Sequence, residues 1–261
     1  MQGAKLSEAL KLREIFSGTK KNSGRRGWIL RSVTEGVGIL LAIGFLFYNN
    51  VLAGLVFFPY LFFYVRKRIK EFENKRREKL AVEFKDGMQA VVSALIAGYS
   101  IENAFREAVG ELELMYGKKT EIYKGFLVIT NQLNLNVSIE EAFSNFAREC
   151  RVEEITGFAQ VLYYAKRNGG NLIQIIKNTS DTISEKIEVK REINTAVSAK
   201  RLEQNIMNLV PMGIILYMRI TSAGMIEKLY GNIYGIIIMT FCLIIYFAAK
   251  VIADKIVDIK V

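Results

Sequence analysis

The sequence predicts an all-α fold: an integral membrane protein with two transmembrane helical hairpins flanking a cytoplasmic antiparallel helical bundle. Three observations predict it. Apolar residues make up 51% of the 261 residues although 24% are charged, and the two kinds are segregated, with apolar stretches near both ends and most charge between them. The two prolines, Pro59 and Pro211, both lie inside apolar stretches, so the middle of the chain is free to form long helices. From Leu80 to Gln204 the apolar residues recur with helical spacing.

The first element, residues 1–27, is an amphipathic and basic cytoplasmic segment. Leu6, Leu10 and Ile15 share one face of a short helix. Charges at Lys5, Glu8, Lys11, Arg13 and Glu14 interrupt any apolar core of the kind a signal peptide needs. The segment therefore reads as a helix lying on the membrane or on the rest of the protein.

Residues 28–65 hold the first apolar pair, Gly36–Tyr48 and Val51–Val65, separated by Asn49-Asn50. Each block is shorter than the roughly 20 residues needed to cross a bilayer. Two readings compete, a hairpin turning at Asn49-Asn50 and one long tilted span. Arg25, Arg26 and Arg31 precede the pair, and Arg66, Lys67, Arg68 and Lys70 follow it. Positive charge on both flanks places both on the cytoplasmic side, which favours an even number of crossings and hence the hairpin.

Residues 66–79 are a dense basic segment that begins where a span ends. A nucleic-acid site is one reading of such a run. A membrane-proximal helix meeting anionic lipid is the other, and it accounts for much of the net charge of +10 without any nucleic acid.

Residues 80–205 form the helical domain. Phe84, Met88, Val91, Val92 and Leu95 make one stripe. Ile101, Ala104, Phe105, Ala108 and Leu112 make a second, and Ile139, Ala142, Phe143, Phe146 and Cys150 a third. Cys150 thus reads as a small buried residue. The junctions share one chemistry. Gly98 can take the left-handed position that ends a helix, and the Ser100 hydroxyl can cap the next one. Asn136 and Ser138 offer the same roles, and Ser138 with Glu141 spells a capping box. Gly169-Gly170-Asn171 is a third version, with Asn171 as the cap. Ser100-Ile101-Glu102-Asn103-Ala104-Phe105 and Ser138-Ile139-Glu140-Glu141-Ala142-Phe143 also form an internal repeat, matching in Ile, Glu, Ala and Phe after the serine. After Asn171, Leu172, Ile175, Ile176, Thr179, Ile183 and Ile187 continue a stripe on a helix predicted to run toward Pro211, with a break near Ala196–Gln204 as the alternative.

Residues 206–249 are the second hairpin. Ile206–Ala223 is apolar except for Arg219, with Pro211 as a kink, and Asn232–Ala249 is the cleanest span. Lys200 and Arg201 precede the pair, and Lys250 and Lys255 follow it, so the tail at 250–261 is cytoplasmic too. Glu35 and Arg219 are the charged outliers of the spans. Each is read as lying at an interface, Glu35 at the cytoplasmic end and Arg219 at the outer end, and so not paired with the other.

No catalytic, cofactor-binding or metal-ligating residues stand out. There is no histidine, no GxxxxGK[ST], no GxGxxG opening a helix, no CxxC and no HExxH. Cys150 and Cys242 lie far apart and imply neither a disulfide framework nor a metal site. The carboxylates Asp86, Glu102, Glu107, Glu140, Glu141, Glu149, Glu153 and Glu154 fall mostly on polar faces or in first turns, where they favour the helix dipole. A small membrane transporter or channel component is the alternative function, and an intramembrane enzyme a further one. Few polar residues stand at mid-span to serve a transporter, and neither histidine nor a paired carboxylate motif is available to an intramembrane enzyme.

The turn Leu95-Ile96-Ala97-Gly98-Tyr99-Ser100-Ile101 resembles an element of the F domain of type II secretion platform proteins. So does Ser138–Phe143, followed by Tyr164–Leu172 and the long charged helix to Pro211. The similarity covers roughly Leu80 to Pro211, with Asn136 where the family usually has glycine. The flanking spans match the layout of Flp/Tad-type pilus assembly proteins. The resemblance implies a non-catalytic platform in the cytoplasmic (inner) membrane, multi-pass, with both termini cytoplasmic. The implied partners are a hexameric secretion or pilus ATPase, prepilin or pilin subunits, a paralogous platform protein or a second copy, and membrane lipids, with no nucleic acid. The implied domain is a six-helix one.

Overall fold

The computed structural model describes residues 19–48, 58–167, 171–222, 224 and 232–257, and every regular element among them is an α-helix. The eight helices are α1 (Thr19–Tyr48), α2 (Phe58–Ile96), α3 (Ile101–Tyr116), α4 (Glu121–Asn134), α5 (Ile139–Cys150), α6 (Glu153–Arg167), α7 (Leu172–Thr221) and α8 (Ile233–Val257). The predicted N-terminal amphipathic helix, the Asn49-Asn50 turn and the Gly169-Gly170 junction lie outside the described residues. Two compact units divide the chain. One contains Glu71–Glu188, the other Trp28–Lys70 with Val189–Val261.

The Glu71–Glu188 unit takes the C-terminal part of α2, then α3 to α6, then the start of α7. Its core is built around six phenylalanines that are almost wholly buried: Phe84, Phe105, Phe126, Phe143, Phe146 and Phe158. They come from five successive helices and meet ring edge to ring face or tilted, from 4.9 Å between the centroids of Phe143 and Phe158 to 6.4 Å between Phe84 and Phe143. Such offset contacts satisfy the ring quadrupoles and add to the gain from burial. All three sequence stripes point into this core, and Cys150 is buried as expected.

The junctions explain how the core is reached. At Gly98, φ is +90°, a region where a Cβ would strain the backbone. Its N–H donates to the Leu95 carbonyl and the Tyr99 N–H to the Ala94 carbonyl, which closes a Schellman turn. Asn136, at φ 57°, repeats the turn with its N–H on the Leu133 carbonyl and the Val137 N–H on the Gln132 carbonyl. Asn can hold this conformation because its short polar side chain tolerates it. Ser100 then caps α3 by accepting from the Asn103 N–H. Ser138 keeps the extended backbone of a capping residue, but its side chain makes no capping hydrogen bond. The Ser138 half of the predicted capping box is therefore not formed. Asn171 does cap α7, its side-chain oxygen accepting from the Gln174 N–H.

The repeat extends further than the two serines. Gly87 and Gly125 occupy equivalent places upstream of them, as do Val91 and Ile129, and Leu95 and Leu133, all six buried. A Cβ on Gly125 would stand 2.2 Å from a Phe146 ring carbon, and one on Gly87 would stand 2.9 Å from the Phe126 ring. Both copies thus use a glycine to let a phenylalanine press against the helix backbone. Consecutive helices run antiparallel. Arg106 near the start of α3 donates to Asn134 at the end of α4, 3.3 Å, while Tyr123 near the start of α4 donates to Glu113 near the end of α3. The equivalent helices α2 and α4 run parallel, with Arg76 beside Glu121 and Phe84 beside Phe126.

α7 is a single helix of 50 residues, about 75 Å at 1.5 Å per residue. It has no break at Ala196–Gln204 and continues through Pro211, where the missing N–H leaves the Met207 carbonyl without its usual donor.

In the other unit, α8 is, among the described residues, the helix long and apolar enough to cross a membrane, over Tyr234–Ile256, with almost no burial inside the protein. The apolar part of α7 is diluted by Asn205, Asn208 and Arg219. That of α1 begins at Gly36 and runs up to residues that are not described. α7 and α8 pack antiparallel through Leu243 against Met212 and Ile215, with Tyr246 donating to the Asn208 carbonyl at 3.0 Å. Their other faces leave Leu209, Ile214, Ile220, Ile237, Phe241 and Ile244 exposed. Exposed apolar surface on that scale fits a hydrocarbon surrounding.

Candidate functional site

Two sets of side chains stand out, one in each unit. In the helical unit, α2 carries a polar ladder along the face turned to α4. The Arg76 guanidinium grips the Glu121 carboxylate with Nε 3.0 Å from both oxygens. One turn on, Lys79 approaches Glu83 at 3.7 Å. Asp86, a further turn along, accepts from the Tyr116 hydroxyl of α3. Glu83 is the unusual member. It is only 4% exposed, and its Oε1 accepts no hydrogen bond. Burial pushes its carboxyl above the ordinary range; Lys79 opposes the shift, while the nearby Glu121 and Asp86 charges reinforce it. The same burial raises the Cys150 thiol well above its usual value. Sequence reasoning missed Glu83. Its place beside Phe84 gives only a weak sign, since a polar residue next to a stripe is ordinary on a helix.

Among the described residues no group of three or more His, Cys, Asp or Glu side chains could hold a metal ion. Most of the carboxylates named from the sequence stand on exposed or half-exposed faces, such as Glu102, Glu107, Glu141 and Glu153. Glu154 departs from that pattern and is buried in the first turn of α6. Glu153 holds Lys186 of α7 at 2.7 Å, which ties the start of α6 to the long helix.

In the second unit, the two charged outliers are each engaged, and not with one another. Glu35 of α1 accepts from Arg68 of α2 at 2.7 Å and pairs with Arg31 at 3.3 Å. The Arg68 guanidinium also lies 5.5 Å from the Trp28 ring centroid and 5.7 Å from that of Tyr64. A cation bracketed by two aromatic rings and a carboxylate is held in one geometry. Arg219 of α7 donates to the Phe45 carbonyl of α1 and lies 3.8 Å from the Phe45 ring centroid. Phe45 is ten residues beyond Glu35 on α1, about 15 Å along the helix. The two charges therefore occupy separate levels, as the sequence suggested. Asp254 of α8 accepts from Lys67 of α2 at 2.9 Å and from Gln204 of α7 at 2.8 Å. Through these contacts α1, α2, α7 and α8 are linked at the level of Lys67 and Arg68.

Neither a curated protein nor a solved structure matches the chain. A family model described as type II secretion system (T2SS), protein F, matches residues 88–218, from Met88 in α2 to Met218 in α7. The matched stretch takes in both serine motifs of the repeat, the three helix junctions and nearly all of the long helix, and it is half of the chain. On that match the chain belongs to the type II secretion system protein F family.

Proposed function

We propose that the protein is an inner-membrane platform of a type II secretion or Flp/Tad-like pilus assembly machine, coupling a cytoplasmic ATPase to the movement of pilin subunits. The observation that carries this reading is the family match over residues 88–218. In this reading the Phe-centred helical unit is cytoplasmic and meets the ATPase. The helices of the other unit form two hairpins that meet the pilin transmembrane segment, and both termini are cytoplasmic. The basic flanks at Arg66–Lys70 and Lys250–Lys255 support that orientation. The protein acts as a scaffold and hydrolyses nothing itself. The 50-residue helix α7 supports a mechanical role, since a helix without an interior break transmits displacement along its axis.

The test is a deletion strain together with affinity purification of the full chain from membranes. Loss of pili or of secretion, with a hexameric ATPase co-purifying, is the expected result. Normal assembly without the protein would end the proposal. Reporter fusions at each terminus and at residues 49–50 and 225–230 check the topology, with cytoplasmic signals expected at the termini and outer signals at both turns.

A further inference from the structure

We propose that the second unit carries a binding surface for anionic phospholipid headgroups, made by cations from α1, α2, α7 and α8 at the level of Trp28. The proposal rests on the membrane reading above and goes beyond it by naming a lipid class and its residues.

Trp28 and Tyr64 bracket Arg68. Indole and phenol rings favour the boundary between hydrocarbon and water, because each has an apolar body and a polar tip. The ring pair thus marks a headgroup level. Arg68 shares that level with Lys67, which reaches Asp254 on α8, and Asp254 reaches Gln204 on α7. Within about one turn of these residues stand Arg31, Arg66, Lys70, Arg201, Lys250 and Lys255. All but Lys250 are exposed, and Lys250 is partly so. The acids within the same reach, Glu35, Glu71, Glu203 and Asp254, are fewer than the cations, and Glu35, Glu203 and Asp254 are already engaged by Arg31 and Arg68, by Lys200, and by Lys67 and Gln204. Positive charge is left in excess, and it is shared among four helices. Leu30, 71% exposed, and Phe62, 72% exposed, adjoin the cations. A soluble polyanion would leave these apolar side chains in water. A phospholipid has an anionic head for the cations and acyl chains for Leu30 and Phe62.

Trp28 is the chain's single tryptophan, so its fluorescence reads this level alone. The experiment reconstitutes the full chain into phosphatidylcholine vesicles containing the same fraction of either brominated phosphatidylglycerol or brominated phosphatidylcholine. The bromines are placed near the carbonyl end of the acyl chains. The expected result is several-fold stronger quenching by the glycerol lipid, declining as salt is raised. The preference disappears in the R66Q/K70Q/R201Q/K255Q variant, whose helicity is confirmed by circular dichroism. Equal quenching by both lipids with no salt dependence overturns the anionic preference and leaves the membrane reading standing. Preference retained in the variant overturns the assignment to these side chains. No quenching by either lipid removes Trp28 from the bilayer and overturns the membrane reading with the proposal. Where the variant does not fold, the salt dependence of the unmodified protein still decides whether the preference is electrostatic.

Discussion

Phe105 and Phe143, the equivalent residues of the two repeat copies, lie against one another with ring centroids 5.5 Å apart and planes at 62°. Each is fully buried. The repeat is thus more than a duplicated helix start, since the copies meet through the residue that ends each motif. Replacing either ring by alanine removes the burial gain and leaves a cavity, for an expected loss of about 3–5 kcal/mol. The double variant should lose less than the sum, by about 0.5–1.5 kcal/mol, because the ring–ring term is lost once. Thermal unfolding of the purified chain in detergent, followed by circular dichroism, measures all three.

Gly125 and Gly157 are both helical glycines in the same unit, yet they should respond in opposite ways. A Cβ at Gly125 collides with the Phe146 ring, which is held by Phe126 and Phe143, while a Cβ at Gly157 meets nothing within 4 Å. Gly125→Ala should destabilise by about 1–3 kcal/mol through overpacking. Gly157→Ala should stabilise by about 0.5–1 kcal/mol, because alanine restricts the unfolded chain more than glycine does. Melting temperatures of the two variants, compared with the parent, decide it.

Asn136 holds a left-handed backbone where glycine would sit without strain. Asn136→Gly should leave stability unchanged or raise it by up to about 1 kcal/mol, and Asn136→Val should lower it by about 1–2 kcal/mol. At Gly98 the same logic predicts a loss of about 1–2 kcal/mol for alanine. A loss for the valine variant of Asn136 with none for the glycine variant, in one unfolding series, would confirm the turn.

Glu83 gives a pH signature of known sign. Its folded-state pKa is raised by burial, so the folded protein binds the proton more tightly than the unfolded chain does. Its effect on stability is therefore most favourable below the ordinary carboxylate range and is lost as pH rises through the raised value. Relative to Glu83→Gln, the parent should be about equally stable in acid and less stable near neutrality. The comparison uses the difference between the two stability–pH curves, which cancels the titrating groups that do not interact with Glu83.

Cys150 should resist modification. Burial holds its thiol above the usual range, so little thiolate is present at neutral pH, and the sulfur is covered by the core. In a Cys242→Ser background a water-soluble maleimide should label the native protein slowly and the denatured protein fully. Fast labelling of the native form would show that the core opens at α5.

Much of the helical unit was legible in the sequence, because period and capping are local properties. Phe84, Phe105 and Phe143 declared themselves by their spacing, and Gly98 and Asn136 by the conformations their side chains permit. The family resemblance rested on the same local signals and was confirmed over residues 88–218. The continuity of α7 was half legible. The absence of glycine and proline between Asn171 and Pro211 favours it, with a break near Ala196–Gln204 as the alternative that the sequence leaves open.

What the sequence determined by itself was where helices form and which face of each is apolar, since both follow from residues within a few positions of one another. Only the tertiary structure decided which faces meet. That Gly125 exists to receive Phe146, that Glu83 is buried between Lys79 and the core, and that Arg68 is gripped by Trp28, Tyr64 and Glu35 all depend on groups distant in the chain or on the packing around them. The unmade Ser138 cap teaches the same point from the other side. A local pattern offers a hydrogen bond, and the geometry around it decides whether the bond forms.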